Sequence, residues 1–199
     1  MKYQSPLNIP KDNISSPYSI ITCKAGQSGC KNSLIDTKKT AEEIHRILEK
    51  IGLGEYIKSK TNGGKIPYHM KFKAAVAGCP NSCSQPQIKD FGVSGQAMPI
   101  AVLNRCTECM ECVVICREKG AVDVIDARPV FDYNLCVMCG DCAKACPTET
   151  IIIAKKGAKV MANGKLGRHP KLADVIAEFT NKDEAYELLR KLVKERMKK

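Results

Sequence analysis

Residues 78–93, GCPNSCSQPQIKDFGV, decide how the rest of the chain is interpreted. They place Cys79 and Cys83 with three residues between them, inside a run of Pro, Asn, Ser and Gln. This spacing differs from the CxxC of zinc ribbons and thioredoxin-like motifs. The preceding segment, KFKAAVAG at 71–78, predicts a strand. The cysteine pair therefore follows a strand on a loop, where a scaffold can hold a site rigidly.

The chain has twelve cysteines among 199 residues, far more than core packing uses. Two sets of four share the spacing CxxCxxCxxxC: Cys106, Cys109, Cys112 and Cys116, then Cys136, Cys139, Cys142 and Cys146. The other four are two separated pairs, Cys23 with Cys30 and Cys79 with Cys83. The N-terminus shows no signal peptide, so we expect a cytoplasmic protein, in which dense cysteines favour metal ligation over disulfides.

The repeated motif predicts a ferredoxin-like domain with two [4Fe-4S] clusters over residues 103–156. In such domains CxxCxxC supplies three thiolates and the other motif supplies the fourth. We name the resulting sets the first-motif group (Cys106, Cys109, Cys112, Cys146) and the second-motif group (Cys136, Cys139, Cys142, Cys116). Zinc is the weaker alternative, because zinc sites rarely use this triple spacing. One departure is Arg117, which stands where the first motif usually has Pro.

Local patterns predict the surrounding elements. Val122, Val124 and Ile125, followed by 130–131, predict a strand pair about a Pro turn, and TIIIA at 150–154 predicts another strand. Two amphipathic helices are predicted, each with a capping box: Thr40 with Glu43, ending at Gly52, and Asn181 with Glu184.

The residues at 78–93 closely resemble the iron-sulfur and siroheme signature of sulfite and nitrite reductases, in which GCxxxC precedes an acidic-apolar-Gly-apolar tail. CKAGQSGCKNSLIDT at 23–37 is similar to the family's upstream cysteine pair, and NGKLGRHPKLA at 163–173 resembles a basic, Gly-rich segment of its anaerobic and dissimilatory members. The resemblance implies an α+β fold. A siroheme-type half domain with a mixed sheet and helices, 1–102 and 157–199, would carry the ferredoxin-like domain as an insertion.

The resemblance also implies a site. Cys23, Cys30, Cys79 and Cys83, the split-pair group, would hold a third [4Fe-4S] cluster, and the Cys83 thiolate would bridge it to siroheme. Candidate contacts to siroheme carboxylates or to a sulfite or nitrite oxyanion are Asn81, Lys71, Lys73, Lys165, Arg168 and His169.

Two functions stay open at this point. One is a siroheme reductase of sulfite or nitrite, and the other is a siroheme-free electron carrier with three clusters that serves a partner enzyme. The half that precedes the cysteines in this family is not seen here. We expect that a partner subunit or a second copy completes the cavity, that the pocket is open, or that siroheme is absent and the third cluster only relays electrons. An electron-donor protein is also expected. The net charge of +11 suits anionic ligands. Nucleic acid and membrane are not expected as partners, because aromatic residues are few and no apolar run reaches membrane-spanning length. Three oxygen-sensitive clusters favour an anaerobic source.

Overall fold

The computed structural model describes residues 16–61, 65–102 and 104–198. Residues 1–15, on which the expectation of no signal peptide rests, lie outside this part. In chain order the elements are β1 (Tyr18–Thr22), α1 (Ala25–Ser28), α2 (Thr37–Ile51), α3 (Leu53–Ser59), β2 (Phe72–Ala77), a 3-10 turn (Pro86–Ile88), β3 (Phe91–Ala101), α4 (Glu111–Ile115), β4 (Val122–Ile125), β5 (Arg128–Phe131), α5 (Asp141–Ala145), β6 (Ile151–Ala162), β7 (Asp174–Thr180) and α6 (Lys182–Met197).

A five-stranded mixed sheet organises the chain, in the order β1-β2-β3-β6-β7. The first three strands are parallel, whereas β6 and β7 run antiparallel to their neighbours. The predicted strand over 71–78 is β2, at the centre of the parallel part. The predicted α+β class, a mixed sheet with helices, is therefore confirmed.

Residues 78–90 form the connection between the parallel strands β2 and β3. Parallel neighbours require a crossover of about a dozen residues, and here the cysteine loop itself serves as that crossover. Its return path is tight, because a Cβ on Gly92 would lie 2.4 Å from the carbonyl oxygen of Pro86. Asp90 then accepts hydrogen bonds from the Lys73 backbone N–H (2.8 Å) and from Arg196 Nη1 (2.6 Å). The polar residues between the two apolar strands therefore form an ordered connection that is held by specific contacts.

The helices α2 and α6 cover one face of the sheet. Ile44 and Leu48 from α2 and Leu189 from α6 are fully buried in one cluster with Phe72 and Phe91 of the strands. The apolar faces predicted for both helices are therefore confirmed. Gly52 ends α2 with a positive φ of 78°, as predicted.

The capping box predicted for α2 is wrong. The helix begins one turn earlier than Thr40, because the Asp36 side chain accepts the Lys39 backbone N–H at 3.0 Å. Thr40 lies inside the helix, where its hydroxyl donates to the Asp36 carbonyl oxygen at 2.7 Å. An Asp cap three residues before Lys39 competes with a Thr cap in the same turn, and the local pattern alone does not separate them.

The capping box of α6 is confirmed. The Asn181 side chain accepts the Glu184 backbone N–H at 3.0 Å, and the Glu184 carboxylate accepts the Asn181 backbone N–H at 2.9 Å. Two otherwise unsatisfied donors at the start of the helix are paired in this way.

Replacing Asn181 with Ala should lower the free energy of unfolding by about 1 kcal/mol, because one helix-start donor loses its acceptor. For a chain of this size that is a fall of about 2–4 °C in the thermal midpoint, measured by circular dichroism on the cluster-loaded protein. Glu187→Ala is the matched control, since Glu187 is exposed on the same helix, where it forms an ion pair with Arg190 and caps no helix end. Equal midpoints for the two variants would contradict the capping assignment.

A smaller unit, residues 104–150, connects β3 to β6. The predicted strand pair is confirmed as the two-stranded β4–β5 hairpin. Its turn is not at Pro129, which lies within β5; Asp126 and Ala127, with φ of 48° and 55°, make the turn instead. The strand predicted at TIIIA is longer than expected. It is the start of β6, which continues without a break through position 156/157, the predicted boundary between the two domains. The division into two domains stays a prediction.

Among the described residues, no helix combines the length and the apolar character needed to cross a membrane.

Candidate iron-sulfur site

Two parallel strands bring the split-pair group together. Cys23 directly follows β1, and Cys79 is the second residue after β2. The carboxyl ends of adjacent parallel strands lie at one edge of a sheet, and the Cys23 backbone N–H donates to the Val76 carbonyl oxygen of β2 at 3.1 Å. Cys30 and Cys83 complete the group from the loops that follow each strand. Residues far apart in sequence thus meet at one edge.

The environment of Cys79 reflects this convergence. Burial raises the pKa of the Cys79 thiol, and the negative charges of thiolates at Cys83, Cys23 and Cys30 raise it further. The Asn81 backbone N–H opposes the rise. Binding iron at such a thiol must expel its proton, because the metal binds the thiolate.

Glycine at position 78 allows the two loops to approach. Its backbone N–H donates to Cys23 Sγ at 3.2 Å. A Cβ on Gly78 would lie 2.2 Å from Ser33 Oγ, and one on Gly95 would lie 2.4 Å from the Gly78 carbonyl oxygen. Side chains at either position would push the Cys79 loop away from its neighbours.

Asn81 contacts the thiol that the family resemblance marks as the bridge. Its Nδ2 donates to Cys83 Sγ at 2.9 Å. The loop turns through Ser82, which has a positive φ of 52°. Hydrogen bonds to cluster sulfurs shift reduction potentials, so Asn81 would act on the cluster through Cys83. Its predicted role beside siroheme stays a prediction.

Two short helices position the repeated motifs. Cys112 on α4 and Cys142 on α5 are buried, and each helix begins after a residue in the left-handed region, Met110 and Gly140. Burial raises the pKa of the Cys112 thiol, with further contributions from the thiolates at Cys106 and Cys109.

Cys116, which belongs to the first motif in sequence, lies near the cysteines of the second motif, as the proposed two-cluster arrangement requires. Burial raises the pKa of the Cys142 thiol to about 12, and thiolates at Cys139, Cys136 and Cys116 add to the rise. Cys116 therefore lies near the second motif. The ligand sets themselves stay predictions.

The second motif is fixed to the large sheet. The Ala97 backbone N–H of β3 donates to the Met138 carbonyl oxygen at 2.8 Å, and the Tyr133 hydroxyl donates to the Pro99 carbonyl oxygen at 2.9 Å. A Cβ on Gly140 would lie 3.1 Å from the Ala97 Cβ. The backbone of the second motif thus packs directly on β3.

A cavity of about 310 Å³ separates two of the cysteine groups. All four members of the split-pair group and all four of the second-motif group line it, together with the cationic residues Lys24 and Arg117. Within the described residues, no member of the first-motif group borders this cavity. We refer to it below as the cleft.

Lys71 and Lys73 do not reach the cleft. They lie at the beginning of β2, whereas Cys79 follows its end, and six strand residues span about 20 Å. Lys71 is buried, and the Lys73 ammonium lies 4.5 Å from the centroid of the Tyr68 ring.

Lys165, Arg168 and His169 are exposed on the connection between β6 and β7. This connection starts beside Asp90, whose carbonyl oxygen accepts the Asn163 backbone N–H at 3.0 Å. It therefore lies where β3 begins, away from the carboxyl-end edge, and these three side chains do not line the cleft. The structure instead places Lys24 and Arg117 there. For Arg117, the sequence signal was its occurrence at a position where this motif usually has Pro.

The donor sets fit iron-sulfur clusters. The split-pair and second-motif groups each bring four thiols to the lining of the cleft, and Cys146 packs on the small apolar cluster that contains Cys112. Thiolate is the ligand that iron-sulfur clusters use. In residues 16–61, 65–102 and 104–198, no three His, Cys, Asp or Glu side chains form the shell of a single metal ion. The fit to iron-sulfur clusters therefore rests on the thiol donors and on the way the fold groups the cysteines.

Residues 18–194 match the model of the family described as "Nitrite and sulphite reductase 4Fe-4S domain". The chain belongs to this family. The resemblance inferred from residues 78–93 is thereby confirmed, as is the presence of a 4Fe-4S domain.

Curated relatives are much longer than this family member. The "Coenzyme F420-dependent sulfite reductase" of Methanocaldococcus jannaschii is 34% identical over 148 residues, which are 74% of this chain and 21% of that protein. One subunit of the anaerobic sulfite reductase of Salmonella typhimurium is 38% identical over 50 residues, or 25% of this chain and 14% of that subunit. The chain thus spans about a fifth or less of either relative.

A solved structure shares the fold. The crystal structure of dissimilatory sulfite reductase I aligns with 88% of this chain and 44% of its own chain, at a TM-score of 0.52 and 17% identity. At that identity the likeness concerns the fold alone.

Proposed function

We propose that this chain is the cluster-binding half of a sulfite or nitrite reductase, with a [4Fe-4S] cluster on the split-pair group and siroheme beside Cys83. The observation that carries the proposal is the convergence of Cys23, Cys30, Cys79 and Cys83 at the edge of the sheet, facing an open cleft. A cluster held by these four cysteines would pass electrons one at a time to siroheme beside Cys83, and repeated refilling by a donor would provide the several electrons that reduction of sulfite or nitrite needs.

The chain's own residues would hold and adjust this centre. The Gly78 backbone N–H and the Asn81 amide both donate to sulfurs of the group, which stabilises negative charge on thiolates. Lys24 and Arg117 supply positive charge at the cleft, where carboxylates or a substrate oxyanion would be attracted.

The size of the cleft suggests that another chain completes it. At about 310 Å³ it is at the lower end of the range for ligand pockets, so a tetrapyrrole would extend beyond it. This chain aligns with 44% of its structural neighbour. A partner subunit or a second copy would cover the rest of the tetrapyrrole.

The two motif groups would form an electron route with a defined order. Among the described residues, only the second-motif group shares the cleft with the split-pair group, and its backbone is hydrogen-bonded to β3. A cluster on the second-motif group would therefore be the inner relay. A cluster on the first-motif group, where Cys109 is exposed, would receive electrons from a donor protein.

A second candidate function is a siroheme-free carrier with three clusters. The position of Lys71, Lys73 and the 163–173 connection away from the cleft favours it, because those residues were expected to contact siroheme.

An anaerobic visible spectrum with iron and extracted-tetrapyrrole quantitation tests the two functions. About twelve cluster irons plus one siroheme, with bands that shift on addition of sulfite or nitrite, are expected for the reductase. The same iron content without tetrapyrrole, after reconstitution with siroheme, would overturn the reductase in favour of the carrier.

A further inference from the structure

Arg117 occupies an unusual place in the cleft. It directly follows Cys116 of the second-motif group, and it lines the cavity that this group shares with the split-pair group. The ion pairs found among the described residues include Arg46, Arg190 and Arg196 but not Arg117. Arg117 is exposed, and within the described residues no ion pair with a carboxylate offsets its positive charge at the cleft.

Most of the negative charge around the cleft would come from cysteine thiolates. Two groups of four thiolates line it when both hold clusters, and the carboxylates in the lining are those of Glu118 and Asp141. Asp141 is already paired with Lys144 at 3.0 Å. A nearby cation stabilises the more negative, reduced form of a cluster, which raises its reduction potential.

The sequence also marks Arg117. The second motif ends in Cys146-Pro147, the usual pattern, whereas the first motif ends in Cys116-Arg117. The position tolerates Pro in this type of motif, so an Arg there adds a charge that ligation does not require.

We propose that Arg117 is a positioning residue whose charge sets the reduction potentials of the two clusters that face the cleft. The proposal rests on the proposed function, because it requires clusters on the second-motif and split-pair groups. The step it would affect is the transfer of one electron from a reduced second-motif cluster, refilled by a donor protein through the first-motif cluster, to the split-pair cluster. The first is oxidised as the second is reduced, and no bond or proton changes place.

Reduction potentials of the cluster-loaded full chain, measured by EPR-monitored titration, test the proposal. Arg117→Gln should lower the reduction equilibrium constant of the second-motif cluster about tenfold, which is about 59 mV for a one-electron couple. A smaller shift in the same direction is expected for the split-pair cluster. Arg117→Lys should keep both potentials close to those of the parent, because it keeps the charge.

Two further variants complete the design. Lys119→Gln removes the same charge from an exposed residue that does not line the cleft, and it should leave both potentials unchanged. Arg117→Pro introduces the residue that is usual at this position and removes the charge. Its reduction potentials should equal those of Arg117→Gln, and it provides the measurement if the glutamine variant binds clusters poorly.

The outcomes separate the two proposals. Full iron content with potentials in Arg117→Gln and Arg117→Pro that equal those in Lys119→Gln would overturn the role of Arg117 and leave the proposed function intact. A parent chain that cannot be loaded with clusters on both groups would overturn the two together.

Discussion

Replacing Cys83 with Ser should remove the split-pair cluster, one of the three we propose, and abolish the proposed reduction of sulfite or nitrite. The iron content should fall from about twelve to about eight atoms in clusters, because the two motif groups do not depend on Cys83. Any siroheme should lose the absorption shift that the substrate causes, since its link to the cluster is cut. Iron quantitation, EPR and anaerobic turnover with a chemical reductant measure the three effects.

Cys109→Ser is the matched control. Cys109 is exposed like Cys83 but belongs to the first-motif group. Its loss should also remove about four irons, yet turnover with a small chemical reductant should continue, because the electrons can enter at the inner groups. Loss of every cluster in Cys83→Ser would contradict the independence of the cysteine groups.

Replacing Gly95 with Ala should damage the same site from a distance. The new Cβ would lie 2.4 Å from the Gly78 carbonyl oxygen and 3.0 Å from the Leu34 Cβ. A backbone oxygen cannot rotate away, so the loop that carries Cys79 must shift. Overpacking of this kind costs about 1–3 kcal/mol. We expect a lower thermal midpoint and loss of the split-pair cluster, with the clusters of both motif groups retained.

Gly54→Ala provides the comparison. Gly54 lies within α3, and its added Cβ would meet a side-chain atom, Pro17 Cγ, at 3.2 Å. Alanine favours a helix over glycine by up to about 1 kcal/mol, so α3 should accept the methyl group. Because no cysteine loop is then displaced, the iron content should stay at the parent value. A full split-pair cluster in Gly95→Ala would show that the loop accommodates the methyl group.

Most features set by local sequence were predictable, although the cap of α2 and the exact turn of the β4–β5 hairpin were not. The apolar stripe of α2, the capping box at Asn181 and the β4–β5 hairpin all depend on residues within about a dozen positions, where periodicity and capping act. The grouping of cysteines by motif spacing was equally local. The family followed from residues 78–93, where GCxxxC is joined to an acidic-apolar-Gly-apolar tail.

Features set by pairing between distant segments were not predictable in the same way. Nothing in residues 18–22 and 72–77 states that they pair in parallel, and the convergence of the split-pair group depends on that pairing. The candidate cations show the same limit. Lys71 and Lys73 are close to Cys79 in sequence, but a strand separates them in space. Arg117 is far from Cys79 in sequence, yet it lines the same cleft.

The parallel pairing of β1 with β2 also affects the order in which the centres can assemble. Ligands of either motif group lie within about forty residues and belong to one small unit, whereas those of the split-pair group come from segments joined through α1, α2 and α3. Closing that longer loop costs more conformational entropy, and contacts between distant segments form slowly. During maturation we therefore expect the motif groups to acquire iron first. The split-pair centre would form last, once the sheet has folded.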